Sequence, residues 1–183
     1  VSPAGIKAQL QEFQPFTHQL CFLGSNQHLP NREGLDWLKD KVFPLISDTL
    51  TCNIIGAGWT QYAAVKNVSI HSCGFVESIS QFMSGSIMVV PILSGSGMRM
   101  KILEAAAASV PFITTSIGVE GLNFKHNHSC LIADTPEEFA QAIHALVNDE
   151  TLQRRLAGAA HNIYLSQYTT NALAQKRNII YNI

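Results

Sequence analysis

Charge is scarce in this 183-residue chain: Asp, Glu, Lys and Arg make up 14% of it and sum to −1. With 46% hydrophobic residues, that balance excludes a disordered chain and a generally basic nucleic-acid binder. Long apolar runs are missing too. IMVVPIL (87–93) is far shorter than the roughly 20 residues that cross a bilayer. No charged-then-apolar leader opens the sequence, and Val1 stands where an initiating Met would, so the expectation is a domain cut from a longer protein. Paired cysteines are also lacking. Cys21, Cys52, Cys73 and Cys130 form no CxxC and lie tens of residues apart, which disfavours a zinc site or a disulfide framework. Four buried thiols in a reducing compartment are expected instead.

Familiar catalytic patterns are absent as well. No GK[ST] follows a glycine loop, and GSNQHLPN occupies the turn after the first strand, where a dinucleotide fingerprint would stand. GAGW (56–59) is a lone GxG. No pair of carboxylates is placed for acid–base hydrolysis of a glycoside. His126-Asn127-His128 lacks the third and fourth ligands a zinc ion needs, so no metal is expected there.

What the chain does hold is an alternation of short apolar runs with helical stretches. HQLCFLG (18–24), TCNIIGAG (51–58), VSIHSCGFV (68–76), IMVVPIL (87–93), PFITTS (111–116) and SCLIAD (129–134) read as six strands. GLDWLKDKVFPLI carries Leu35, Leu38, Val42 and Leu45 at helical spacing, and SISQFMSGS and MRMKILEAAAAS make further helices. Thr135-Pro136-Glu137-Glu138 combines an N-cap, a first-position proline and Glu at N3, ahead of an apolar face of Phe139, Ile143, Leu146 and Val147. Another helix starts near Asp149, and a last one covers roughly 170–181 with Leu173 and Ile180 on one side. The strands read as continuous apolar runs, as in a parallel sheet covered on both faces. No linker, internal repeat or low-complexity segment divides the chain. The expectation is a single α/β domain over 1–183, a doubly wound, Rossmann-like parallel sheet of about six strands. Ligands bind such sheets beyond the carboxyl ends of the strands, in loops 24–33, 56–60, 75–79, 94–98 and 116–123 here.

Loop 94–98 stands out. SGSG leaves the fourth strand and opens a helix that carries Arg99, Lys101 and Glu104 in its first turns. Glycines let backbone N–H groups approach an anion, and a helix N-terminus favours negative charge. Two cations at that end are unfavourable for the helix and are offset by a bound phosphate; otherwise they are solvated surface groups. Glu104 lies near the buried face, where a carboxylate needs partners. Those are ligand hydroxyls, or else Arg99 or Lys101. Glu120-Gly121, after the fifth strand, either reaches the ligand or only shapes a turn.

PILSGSGMRMKILEAAAASVPFITTSIGVEGL (91–122) resembles the donor-binding core of retaining glycosyltransferases with the GT-B fold, and the same order of features runs along nearly all of the chain. The resemblance implies one half of such an enzyme, the C-terminal domain that binds a nucleotide-diphosphate sugar, with an N-terminal acceptor domain elsewhere in the polypeptide. It implies transfer to a glycan, lipid or other acceptor, with no cofactor beyond a UDP- or GDP-sugar substrate and no nucleic acid. A bacterial, cytoplasmic enzyme of polysaccharide biosynthesis is expected, touching a membrane only peripherally through the full-length protein. The isolated domain is expected to transfer nothing, and its helix at 170–181 to cross to the missing domain.

By the same resemblance Glu104 is the second carboxylate of an E-x7-E motif and holds the ribose hydroxyls. The backbone from Gly97 through Met98, Arg99 and Met100 to Lys101 faces the diphosphate and sugar, Gly95 and Ser96 join the donor-binding residues, Gly24 and Ser25 lie under the phosphates, and Val76 and Glu77 lie against the base. Catalysis is assigned to Arg99 and Lys101 stabilising the leaving phosphate, with further residues in the other domain. The first carboxylate of the motif falls at Ser96 and is missing. The Arg and Lys that follow the first strand in the common pattern are replaced by Ser25 and the neighbourhood of Arg32, and Arg99 and Lys101 supply that charge from the other side. The missing acid keeps open a non-catalytic module that binds a nucleotide sugar or phosphate. A nucleotide-dependent oxidoreductase is disfavoured by the absent fingerprint.

Overall fold

A computed structural model of the chain describes residues 13–95 and 99–174. Six strands form one sheet: β1 (Gln19–Leu23), β2 (Leu50–Ile55), β3 (Val68–Gly74), β4 (Ser86–Val90), β5 (Phe112–Thr114) and β6 (Leu131–Ile132). Every pairing is parallel, and the order is β3-β2-β1-β4-β5-β6. The chain therefore builds outward from β1 in one direction, then returns to its other side at β4. The carboxyl ends of β1 and β4 diverge into loops that leave in opposite directions, which opens a crevice at this switch point.

Two apolar layers cover the sheet. Leu20, Phe22, Ile87 and Val89 point to one face, where α1 (Leu29–Trp37) and α5 (Pro136–Asn148) supply Leu35, Phe139 and Ile143. Cys21, Met88 and Val90 point to the other, against α3 (Met100–Ala107) and α6 (Glu150–Gln167). All five residues of β4 are buried, as a central strand requires. The alanine run of α3 lets α6 approach closely, and His161 Nδ1 lies 3.0 Å from the Ala106 carbonyl. Short helices α2 (Ser80–Met83) and α4 (Ser116–Val119) complete the set.

The α5 start forms as the sequence predicts. Thr135 Oγ1 accepts from the Glu138 N–H at 3.2 Å, and Glu138 Oε2 accepts from the Thr135 and Asp134 N–H groups at 3.2 and 3.0 Å. Those backbone donors hold the Glu138 carboxyl below its ordinary range.

Three expectations are corrected. The link from β2 to β3 (56–67) is a loop that packs Trp59, Tyr62 and Val65 against the core. Consequently β3 is not a continuous apolar run. Val68 and Ile70 are buried while Ser69 and His71 are exposed, because this edge of the sheet is covered on one face only. The first helix begins at Leu29 and passes through a π turn (Leu38–Val42) into a 3₁₀ turn (Phe43–Leu45) at Pro44. That change of winding buries Phe43 and Ile46 and leaves Leu45 46% exposed, so Leu45 does not join the apolar stripe. Among the cysteines, Cys21, Cys52 and Cys130 are buried but Cys73 is half-exposed, and none is bridged. Burial pushes the Cys21 and Cys130 thiols up to about 12. The last helix is present at 170–174; the remainder of the predicted 170–181 lies outside the described residues.

Candidate functional site

The crevice at the switch point is a cavity of about 240 Å³, lined among others by Phe22, Pro30, Asn31, Gly95, Arg99 and Lys101. It forms where the turn after β1, the start of α1 and the start of α3 meet. Gly24 follows β1 at φ +152°, and a Cβ there would stand 2.6 Å from Asn31 Nδ2, so a glycine is needed for the loop to pass this close to α1. Asn31 fills that space. It is 8% exposed; its Nδ2 donates to the Ser25 carbonyl at 2.7 Å, and its Oδ1 accepts from Lys101 Nζ, 70 residues away. Trp59 Nε1 donates to the Gly24 carbonyl at 2.6 Å and its indole meets Phe22 edge-on, so Trp59 braces the same loop from below.

Lys101 enters the cavity from the first turn of α3. Its ammonium lies 5.7 Å from the centre of the Phe22 ring. Burial pulls it down to about 8, an effect that the Glu104 charge only partly offsets. Glu104 is pushed upward by burial, with Lys101 acting against that rise. No ion pair joins Glu104 to Lys101 or Arg99 among the described residues. Glu104 is half-buried and is not among the residues that line the cavity.

Arg99 is the N-cap residue of α3, and its side chain is only 9% exposed. Its Nη2 donates to the Gly95 carbonyl at 3.1 Å and lies 4.0 Å from Glu120 Oε2. Its Nε is buried with no hydrogen-bond partner among the described residues. An unsatisfied buried donor costs about 1–3 kcal/mol or more for a charged group. This guanidinium thus carries unused donor capacity beside a lysine, at a helix N-terminus. An anion with several oxygens is the ligand that these groups suit.

Gly95, Arg99, Met100 and Lys101 thus line one cavity, with Gly24 and Ser25 forming the turn behind them. Ser96, Gly97 and Met98 lie outside the described residues. Val76 and Glu77 do not line this cavity. They follow β3, two strands away from the switch point, where Val76 packs on the second core layer and Glu77 is exposed. Arg32 does not face the cavity with a free guanidinium; its Nη1 donates to the Asn26 carbonyl at 2.7 Å and holds the loop. His126 Nδ1 accepts from the Ile132 N–H at 3.0 Å, a structural use of that ring. Sequence reasoning missed Asn31. Its one visible signal was a polar side chain directly after Pro30 at a helix start.

A family model described as glycosyl transferases group 1 matches residues 17–149. A curated relative, an uncharacterized 44.6 kDa protein in the cps region of Klebsiella pneumoniae, is 27% identical over 139 residues, 68% of this chain and 36% of its own. Among solved structures, Anabaena HepE in complex with UDP superposes with a TM-score of 0.73 at 14% identity, over 91% of this chain and 49% of that one. TarM, which another of the structures assigns to S. aureus, gives 0.69 at 16% identity, over 94% and 36%. The C-terminal domain of LpcC from Francisella tularensis gives 0.61 at 14% identity, over 86% and 89%. At these identities the structures share a fold with this chain. The chain spans about a third of the length of its curated relative and at most half of the length of HepE and TarM.

Proposed function

From the premise that this chain belongs to the glycosyl transferases group 1 family, we propose that it is the donor-binding domain of a transferase that uses a nucleotide-diphosphate sugar. The observation that carries this reading is the buried Arg99, with an unsatisfied Nε, beside Lys101 in the switch-point cavity. Breaking the bond between a sugar and a nucleoside diphosphate develops negative charge on the departing phosphate. Arg99, Lys101 and the N-terminus of α3 are positioned before the reaction to meet that charge, so little reorganisation is required. Glu104, one turn further along α3, accepts the ribose hydroxyls and fixes the nucleoside's position without transferring a proton. Val76 and Glu77 are assigned to the base end, away from the phosphates.

The remaining parts of the proposal rest on the resemblance. They are an acceptor domain in the same polypeptide, chemistry in the cleft between the two, retention at the anomeric carbon, and a last helix crossing between domains. UDP- or GDP-sugars are the donors proposed, and the UDP and UDP-glucose complexes of HepE recommend UDP-sugars first. Four free cysteines fit a reducing, cytoplasmic setting. Among the described residues no helix is long and apolar enough to cross a membrane. Ser96, where the motif has an acid, favours as second reading a module that binds the donor without transferring it. Transfer of labelled sugar by the full-length protein separates the two.

Binding is tested by titrating the chain with UDP-glucose, GDP-mannose and ADP-glucose between pH 6 and pH 10. Affinity for the preferred donor should be full below about pH 8, where Lys101 is protonated, and fall as pH rises through that value. The limiting slope is about tenfold per pH unit if neutral Lys101 contributes nothing. Stability runs the opposite way. Folding depresses Lys101 from 10.5, so its contribution is present above 10.5 and is lost as pH falls through about 8. A flat affinity profile removes Lys101 from the site, and no binding of any of the three overturns the donor reading.

A further inference from the structure

Glu120 stands 4.0 Å from Arg99, one of the residues lining the cavity, with a placement that the fold takes trouble to fix. Thr115 ends the β5 loop, and its Oγ1 bonds the carbonyl of Ile92, a cavity wall residue. The same oxygen caps α4 by accepting the Gly118 N–H at 3.2 Å. Asp134 Oδ1 holds both the N–H and the hydroxyl of Ser116, at 2.8 and 3.0 Å. α4 then delivers Glu120 as its C-cap residue, with its carboxylate 4.0 Å from Arg99 Nη2. That distance is too long for a hydrogen bond. The Glu120 side chain is 77% exposed, and no hydrogen bond to its carboxylate is found among the described residues.

A carboxylate beside the phosphate-binding cations opposes phosphate by like charge, so its use lies with the neutral part of the donor. Sugar hydroxyls are donors, and their hydrogen bonds to an ionised carboxylate are roughly twice as strong as neutral ones. The other carboxylates around the cavity are committed elsewhere. Glu33 Oε2 accepts from Ser94 Oγ at 2.5 Å, and Glu104, half-buried on α3, is given to the ribose in the reading above. The loop 94–98 contains no acid at all. We propose that Glu120, from the β5 side of the cavity, is the residue that reads the hydroxyls of the donor sugar and so sets which sugar is bound. The inference rests on the donor-site reading above.

The test compares UDP with UDP-glucose and UDP-N-acetylglucosamine on the wild-type chain and on Glu120→Gln, by calorimetry. The amide keeps the shape and removes the charge. Affinity for whichever nucleotide sugar the wild type prefers should drop about tenfold, the worth of one charge-assisted hydrogen bond. Affinity for UDP alone should stay level or rise by about two- to threefold, since a negative charge near Arg99 is gone. The melting temperature should not move, because the side chain is exposed and unbonded. A fall for the nucleotide sugar with UDP level or rising supports the proposal. Both ligands weakening together, or neither changing, overturns it while wild-type UDP binding leaves the donor-site reading in place. If the wild type binds none of the three, both readings fall.

Discussion

Lys101→Met should weaken UDP-glucose binding by about 10- to 150-fold while leaving the fold intact. A hydrogen bond between charged partners is worth about 1.5–3 kcal/mol, and about 1.4 kcal/mol is a factor of ten. Methionine keeps most of the lysine's volume and its contact with Phe22, so the cavity is not reshaped. Two effects on stability then oppose each other. Removing an ammonium that burial already destabilises is favourable, as its descent to about 8 shows. Leaving the buried Asn31 Oδ1 without its donor costs about 1–3 kcal/mol. Their partial cancellation separates a binding role from a structural one. Calorimetry should show the affinity loss, and a thermal melt should show a shift of only a few degrees. Unchanged affinity would remove the lysine from the account, and outright unfolding would make it a structural residue.

Gly34→Ala should destabilise the chain by about 2 kcal/mol, against the usual sign of such a change. In an exposed helix interior, alanine in place of glycine is worth about 1 kcal/mol of added stability. Here a Cβ at Gly34 would stand 2.4 Å from the Pro91 carbonyl oxygen and 3.2 Å from its ring. Pro91 leaves β4 at the switch point, and both it and Asn31 line the cavity. The clash is with backbone that continues a central strand, so α1 must move outward. Overpacking of this kind costs about 1–3 kcal/mol and sometimes more, which outweighs the propensity gain. Moving α1 also moves Pro30 and Asn31, so donor affinity should fall in the same variant. Urea unfolding checks the sign, and a stabilised variant would show that α1 has room the packing denies.

The contrast between these two residues shows which kinds of information a sequence exposes. Lys101 was legible because charge is rare in this chain and a cation in a helix's first turn is locally unfavourable. The capping box at Thr135 was legible for a similar reason, since all of its groups lie within four residues. The six strands were legible as apolar runs, and their number and parallel direction followed. Asn31 was not legible. Its partners are Ser25, six residues away, and Lys101, 70 residues away, and only the sheet order brings them together. Gly34 likewise reads as a helix-weakening residue until Pro91 is seen against it. The half-covered state of β3 is carried by its own alternation, Val68 and Ile70 against Ser69 and His71, a signal that four residues state only weakly. Leu45 falls outside the apolar stripe because a π turn is a tertiary accommodation with no periodic signature.

The proposed division of the donor, with its diphosphate on Arg99 and Lys101 and its ribose at Glu104, is a statement about positions. A crystal structure of the chain soaked with UDP-glucose therefore tests it most directly. The account predicts diphosphate oxygens about 3 Å from the Arg99 guanidinium and from Lys101 Nζ. It also predicts that the Arg99 Nε, buried and without a partner among the described residues, becomes satisfied and that the ribose lies against Glu104. A diphosphate bound anywhere else on the sheet, with Arg99 and Lys101 untouched, would contradict it.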